Sequence, residues 1–89
     1  MEVIYSNRFI RDYKKLPKKV KELAKKKEDI FRQNPFDSRL KTHKLHGKFK
    51  GRIEKYWSFS VGYKYRIVFR FIDKNIVRFY LIGTHRIYQ

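Results

Sequence analysis

Residues 53–83 read IEKYWSFSVGYKYRIVFRFIDKNIVRFYLIG. Apolar and polar side chains alternate through three segments of this stretch, and a period of two is typical of β-strands with one buried face. Gly62 separates the first two segments, and Asp73-Lys74-Asn75 separates the last two, as turn residues between strands do. The stretch therefore predicts three strands joined as an antiparallel meander.

The alternation also assigns side chains to the two faces of the predicted sheet. In the central strand, Lys64, Arg66 and Arg70 fall on the face opposite the fully apolar set. In the last strand, Leu81 is predicted to share a face with Phe79, two residues earlier. One face of the sheet is therefore expected to be apolar and the other to carry cations.

The first half of the chain has a helical period instead. Residues 2–5 form a short strand candidate, and Ser6 or Asn7 can cap a first helix. Pro17 fits the first turn of a second helix, which Asn34-Pro35 ends. The apolar residues at helical spacing are Phe9, Tyr13, Leu16, Val20, Leu23, Ala24, Ile30 and Phe31.

Together these segments predict one α+β domain over residues 1–89. It consists of an N-terminal strand, a two-helix hairpin and the three-stranded meander, with residues 36–51 as a charged loop. Each helix has one apolar stripe, so both are expected to pack on one sheet face and leave the other partly open.

Charge limits the partners of this domain. Its 24 Lys and Arg against 8 Asp and Glu give a net charge of +16, which favours nucleic acid first, with an anionic membrane surface or an acidic protein as alternatives. The absence of cysteine excludes disulfides, a thiol nucleophile and a thiolate zinc site. Neither a leader nor a membrane-length apolar run is recognisable, so a cytoplasmic protein is expected.

Three histidines and one arginine are candidates for chemistry. His43 and His46 lie in the predicted loop, and His85 follows the last strand; each suits proton transfer near neutral pH. Arg66, in mid-strand, has a guanidinium that can hold a phosphate and stabilise developing negative charge. Solvated surface histidines and a solvent-facing arginine are the alternative interpretations. A zinc site needs three or four ligands, and no third or fourth ligand accompanies His43 and His46, so no metal site is predicted.

The order of motifs resembles the RelE/ParE superfamily of toxins over nearly the whole chain. The matching segments are Leu16-Pro17, Asn34-Pro35, His43-Lys44-Leu45-His46-Gly47, Trp57-Ser58, Tyr65-Arg66-Ile67-Val68-Phe69 and Ile82-Gly83-Thr84-His85. The YafQ-like and YoeB-like branches are most similar, because a histidine matches His43 in the former and His85 in both. The sequence departs from RelE at Trp57 and Phe59, where RelE has lysines, and from YafQ at Leu81, where YafQ has an arginine.

This resemblance implies a toxin of a type II toxin–antitoxin system that cuts mRNA on the ribosome without a cofactor or a metal. In the implied mechanism, His43 is the base, His85 the acid and Arg66 the stabiliser of charge. Tyr88 and Lys44 orient the RNA. The implied RNA-binding residues are Lys44, His46, Lys48, Lys50, Arg52, Lys64 and Arg86. The implied partners are an acidic antitoxin and the ribosome with its mRNA.

Two other functions fit the same fold. ParE-like toxins inhibit DNA gyrase and share the arginine matched by Arg66, but they generally lack histidines at the positions of His43 and His85. An inert nucleic-acid-binding domain that retains only the fold is the other alternative.

Overall fold

A computed structural model describes residues 1–45 and 55–84 of the chain. Within those ranges two helices pack beside a five-stranded sheet. The elements in chain order are β1 (Glu2–Tyr5), α1 (Asn7–Lys14), α2 (Lys18–Gln33), a 3-10 turn (Ser38–Leu40), β2 (His43–Lys44), β3 (Trp57–Val61), β4 (Tyr65–Phe71) and β5 (Ile76–Thr84). The predicted α+β class, the helix pair and the meander β3–β4–β5 are confirmed.

The sheet has the strand order β1-β5-β4-β3-β2. β1 runs parallel to β5, whereas all other neighbours are antiparallel. β2 adds a strand to the sheet inside the segment predicted as a loop, which also holds the 3-10 turn. A strand of two residues is too short to show an alternating pattern, so the sequence did not reveal it.

The core lies between the helices and one face of the sheet, and aromatic rings dominate it. Phe31 of α2 is fully buried, and its ring centroid lies 4.9 Å from those of Phe59 and Phe69 and 5.3 Å from that of Phe79. Phe9 of α1 packs against Phe79 at 5.5 Å. Both helices therefore cover the same sheet face, as the apolar stripes predict.

Local hydrogen bonds position the helices on this face. Ser6 caps α1, because its Oγ accepts from the N–H of Phe9 at 3.0 Å. The same hydroxyl donates to the carbonyl oxygen of Tyr80 at 2.6 Å, which ties the start of α1 to β5. α2 ends at Gln33, immediately before Asn34-Pro35, as predicted.

A cluster of three side chains joins α2 to the edge strand β1. The Tyr5 hydroxyl donates to Glu28, and Arg32 Nη2 donates to Glu28 Oε2 at 3.1 Å and to the Tyr5 oxygen at 3.3 Å. Burial, followed by the hydrogen bond to Glu28, raises the pKa of Tyr5 above its usual value. The phenol therefore keeps its proton and remains a donor at neutral pH.

A β-bulge in β5 overturns one predicted side-chain direction. Val68 pairs with Leu81 and Phe69 with Phe79, so Tyr80 is an extra residue on β5. Leu81 consequently packs with Val68 on the face away from the helices, and the next residue, Ile82, joins the main core. The prediction that Leu81 shares a face with Phe79 is wrong, because one extra residue reverses the alternation.

The fold thus leaves the second sheet face to a different set of side chains. On β4, Arg66, Val68 and Arg70 alternate with residues of the main core, as predicted. No helix in the described ranges combines the length and apolar character needed to cross a membrane.

Candidate active site

Arg66 is fixed on the open sheet face by two serines of the neighbouring strand. Its Nε donates to Ser58 Oγ at 3.0 Å, and its Nη1 donates to Ser60 Oγ at 2.9 Å. Ser60 pairs directly with Arg66 between β3 and β4, and Ser58 lies two residues before Ser60 on the same face of β3. These two bonds hold the guanidinium plane across β3 and direct its Nη2 toward β2.

The Nη2 atom of Arg66 reaches His43 on the edge strand β2. Arg66 Nη2 lies 3.0 Å from His43 Nδ1 and donates to the carbonyl oxygen of Lys41 at 3.3 Å. His43 pairs with Ser58 across β2 and β3, so the strand pairing itself brings the histidine beside the arginine. The structure therefore joins two of the predicted catalytic residues into one group.

The turn before β2 sets the position of His43. Asp37 Oδ1 accepts from the backbone N–H of Arg39 at 2.9 Å, and the Arg39 guanidinium binds both carboxylate oxygens, at 3.0 and 2.9 Å. These hydrogen bonds lower the pKa of Asp37 to about 2. Leu40 is fully buried, and Thr42 Oγ1 donates to the carbonyl oxygen of Pro35 at 2.5 Å. The turn is thus attached to the protein on both sides of Lys41.

Lys41 adopts a left-handed backbone conformation, with φ 51° and ψ 44°. Such a conformation costs a residue with a Cβ about 1–3 kcal/mol and clusters at functional sites. Here it brings the Lys41 carbonyl oxygen within hydrogen-bond distance of Arg66 Nη2 and, at 3.2 Å, of His43 Nδ1. The strained residue therefore contributes an acceptor to the site.

His43 Nδ1 faces both an acceptor and a donor, and the proton position decides what the ring can do. When Nδ1–H donates to the Lys41 carbonyl, Nε2 is bare and can accept a proton from a substrate. When Nδ1 accepts from Arg66, Nε2 carries the proton of the neutral ring and can only donate. Only the tautomer that donates to the Lys41 carbonyl leaves His43 Nε2 able to act as a base.

The other predicted site residues divide into two groups. Lys44 is exposed on β2 beside His43, whereas Lys64 lies in the exposed turn between β3 and β4 rather than on the strand face predicted for it. The turn begins at Gly62, as predicted, but extends through Lys64, so β4 starts at Tyr65 and not at Tyr63. The predicted residues outside the described ranges are His46, Lys48, Lys50, Arg52, His85, Arg86 and Tyr88.

The structure adds Ser58, Ser60 and Lys41 to the site. A signal for the serines exists in the sequence, because a hairpin that turns at residues 62–64 places Ser60 opposite Arg66. Lys41 has no such signal, since only glycine and asparagine commonly mark left-handed positions.

The positions of Trp57 and Phe59 bear on the choice of mechanism. Phe59 is fully buried in the core, and Trp57 packs edge-on against Phe36 and Phe71 at 5.4 and 5.8 Å. Both rings serve the helix side of the sheet. Because both rings lie on the helix side, His43 and Arg66 are the predicted catalytic side chains that lie together on the other sheet face.

Comparisons with known proteins identify the fold. No protein-family model and no curated protein sequence matches the chain. YafQ from E. coli strain BL21(DE3) is 24% identical with a TM-score of 0.74, and the match covers 96% of this chain and 93% of YafQ. The RelE–RelB complex from Pyrococcus horikoshii matches at 15% identity and a TM-score of 0.72, over 93% of this chain and 92% of the other.

The heterotetrameric YoeB–YefM toxin–antitoxin complex from Staphylococcus aureus is a third match. Its identity is 20% and its TM-score 0.72, over 96% of this chain and 97% of the matched chain. All three matches extend over nearly the full length of both chains, so they concern the whole fold rather than a shared fragment. The chain therefore has the RelE/ParE-like toxin fold, similar to YafQ and YoeB.

Proposed function

We propose that this protein is the toxin of a type II toxin–antitoxin system and that it cleaves mRNA on the ribosome. The observation that carries the proposal is the group formed by His43 and Arg66, with Nδ1 and Nη2 3.0 Å apart. A histidine held beside a guanidinium supplies a base and a phosphate clamp at one point. Its place on the open face of a toxin fold supports RNA as the substrate.

The proposed reaction is a transesterification through the 2′-hydroxyl. His43 Nε2 takes the 2′-OH proton, and the 2′-oxygen forms a bond to the adjacent phosphorus. The bond from phosphorus to the 5′-oxygen breaks, and His85 returns a proton to that oxygen. The products are a 2′,3′-cyclic phosphate and a 5′-hydroxyl, so the atoms and charges balance with neither a metal nor a cofactor.

Arg66 stabilises the negative charge that builds up on the phosphate oxygens. Ser58 and Ser60 orient its guanidinium before substrate arrives, so little reorganisation accompanies the reaction. In this proposal, Lys44, which is exposed next to His43, contacts a neighbouring phosphate. His85 and Tyr88 complete the proposed site as acid and orienting ring.

An antitoxin is the proposed partner of the free toxin, as in the solved YoeB–YefM complex. A groove of about 350 Å³ runs beside α1 and is lined mainly by Tyr5, Phe9, Ile10 and Tyr13. Lys14, Lys25 and Glu28 also line it, and the two lysines favour a partner whose apolar side chains are followed by acidic ones. We expect association with an acidic antitoxin in the cytosol to weaken as salt screens the charge of +16.

The test is cleavage mapping by primer extension on a translated message, with and without ribosomes. Wild-type protein is expected to cut only with ribosomes and to leave 5′-hydroxyl ends, which polynucleotide kinase labels without prior phosphatase treatment. His43→Ala and His85→Ala are each expected to slow cutting about 10²–10⁴-fold. Lys26→Ala, on the helix side, is the matched control.

Growth arrest without any cut in mRNA contradicts the nuclease proposal. A DNA supercoiling assay then distinguishes the ParE-like alternative, in which the protein inhibits gyrase. If the protein causes neither growth arrest nor mRNA cleavage, the inert nucleic-acid-binding alternative remains.

A further inference from the structure

The donors of the Arg66 guanidinium are mostly occupied by the protein itself. A guanidinium carries five N–H groups, one on Nε and two on each Nη. Ser58 and Ser60 accept from Nε and Nη1. The Lys41 carbonyl oxygen and His43 Nδ1 both lie within hydrogen-bond distance of Nη2. Since guanidinium–phosphate pairs are frequently bidentate, a phosphate bound in that way has to take an N–H group from one of these partners.

His43 is the partner that can give way. Ser58 is fully buried, and the pairing of β3 with β4 fixes Ser60 opposite Arg66. His43 is instead exposed on the two-residue edge strand β2, so its ring can turn about its side-chain bonds. Within the described part of the chain, Arg66 forms no ion pair. A phosphate brings an opposite charge, so Arg66 binds it more strongly than a neutral imidazole nitrogen.

This exchange of partners decides where His43 carries its proton. With Arg66 Nη2 as a donor 3.0 Å away, Nδ1 has to be bare, because two N–H groups directed at each other repel. The proton of the neutral ring is then on Nε2, which cannot act as a base. Once Nη2 binds a phosphate instead, Nδ1 can carry the proton and donate to the Lys41 carbonyl oxygen, 3.2 Å away. Nε2 is then bare and can accept the proton of a 2′-hydroxyl.

We propose that the Lys41 carbonyl is a positioning group for the base, and that a phosphate bound to Arg66 releases His43 Nδ1 from the arginine to this carbonyl. The assignment rests on the proposed function, because it concerns the same base and the same phosphate. Water supplies a proton to Nδ1 and takes one from Nε2, so the exposed ring stays neutral. The left-handed conformation of Lys41 brings its carbonyl oxygen within reach of both side chains. The base is therefore formed only when a phosphate is in place.

Nitrogen-15 NMR of the histidine rings tests the exchange directly. The chemical shift distinguishes a ring nitrogen that carries a proton from a bare one, and His43→Gln identifies the signals of His43 by their loss. The probe is a dinucleotide with a single internal phosphate and a 2′-deoxy position that blocks cleavage. Spectra are recorded at about pH 8.5, above the range in which imidazole ordinarily titrates. We expect a bare Nδ1 in the free protein and a protonated Nδ1 with saturating probe.

Three results of this titration overturn the proposal. They are a proton on Nδ1 without the probe, a proton that stays on Nε2 with the probe bound, and ring signals that saturating probe does not change. Wild-type protein that gives one of these results and still cuts translated mRNA lacks the exchange, whereas the proposed function stands. Absence of ribosome-dependent cleavage overturns both.

Two variants of Lys41 separate its backbone from its side chain. Lys41→Gly and Lys41→Val both remove the amine, but glycine adopts a φ of 51° readily and β-branched valine does not. Lys41→Val is expected to cut translated mRNA roughly 10–10²-fold more slowly than Lys41→Gly. The probe should move the proton to Nδ1 in Lys41→Gly and not in Lys41→Val. Equal cleavage and equal spectra of the two variants would remove Lys41 from the proposal. The wild-type titration decides the exchange even where Lys41→Val does not fold.

Discussion

The two faces of the sheet differ in what their side chains do. The helix face is filled with fully buried phenylalanines from four elements, and α1 and α2 cover it. The open face carries Arg66, Arg70 and Arg78, with serines beside the first and a tyrosine ring beneath the last. One face thus holds the main core, and the other combines a smaller buried cluster of Tyr56, Val68 and Leu81 with cationic side chains. Substitutions on the two faces should therefore affect different measurements.

The largest expected effect on stability is from Phe31→Ala on the helix face. The ring is fully buried and packs against three other phenylalanines, so its removal should lower the free energy of unfolding by about 3–5 kcal/mol. That is much of the roughly 5–15 kcal/mol that stabilises a typical domain. Urea unfolding followed by circular dichroism measures it.

Phe36→Ala is the matched control for this change. Phe36 is 56% exposed and contacts only the edge of the ring cluster, so about 1 kcal/mol is expected. Equal losses for the two variants would show that the helix face is not the main source of stability.

Arg66→Lys tests the open face. Lysine keeps the charge but cannot bind Ser58, Ser60 and His43 at once, because it lacks the planar fork. Cleavage should fall about 10²–10³-fold, while the urea midpoint changes little. Arg11→Lys on α1 controls for the exchange of residue type. A variant that cuts at the wild-type rate would remove Arg66 from the proposed reaction.

Gly62→Ala probes the turn that sets the pairing of the two serines with Arg66. Gly62 has φ 66°, and an added Cβ would lie 2.8 Å from Leu23 Cδ2. The variant should lose about 1–3 kcal/mol of unfolding free energy. Adding Leu23→Ala removes the contact partner but also buried area, so the two changes together should cost less than the sum of the two alone. Strict additivity would contradict the contact.

The smallest expected effect is the pH dependence of the turn before His43. The pKa of Asp37 is lowered from 3.8 to about 2, so its carboxylate stabilises the fold fully above the higher value. This contribution is lost as pH falls toward 2. The difference in unfolding free energy between wild type and Asp37→Asn should be constant above about pH 5 and disappear near pH 2. A difference that ends by pH 4 would contradict the hydrogen bonds to Arg39.

Residue types and their spacing predicted the elements of the fold that are determined locally along the chain. Ser6 as a cap, the end of α2 at Asn34-Pro35 and the alternation in β4 all follow from residue types and spacing. The bulge at Tyr80 did not follow, because it depends on how β5 pairs with β4. β2 did not follow either, since two residues pair there only because β3 offers an edge.

The candidate site shows the same division. The sequence proposed His43 and Arg66 separately, one from a loop and one from a strand. Their contact depends on β2 pairing with β3 and on the left-handed Lys41, which residue types do not indicate. The roles of His85, Arg86 and Tyr88, and of His46, Lys48, Lys50 and Arg52, stay predictions, because these residues lie outside the described ranges.

The most direct test of the central claim is a double-mutant cycle of His43→Ala and Arg66→Lys, measured as the rate of mRNA cleavage on ribosomes. Residues that act as one catalytic unit are strongly non-additive. We predict that the double variant cuts about as slowly as the slower single variant, with all three proteins folded. Losses that multiply, or rates equal to the wild type, would contradict a joint active site at His43 and Arg66.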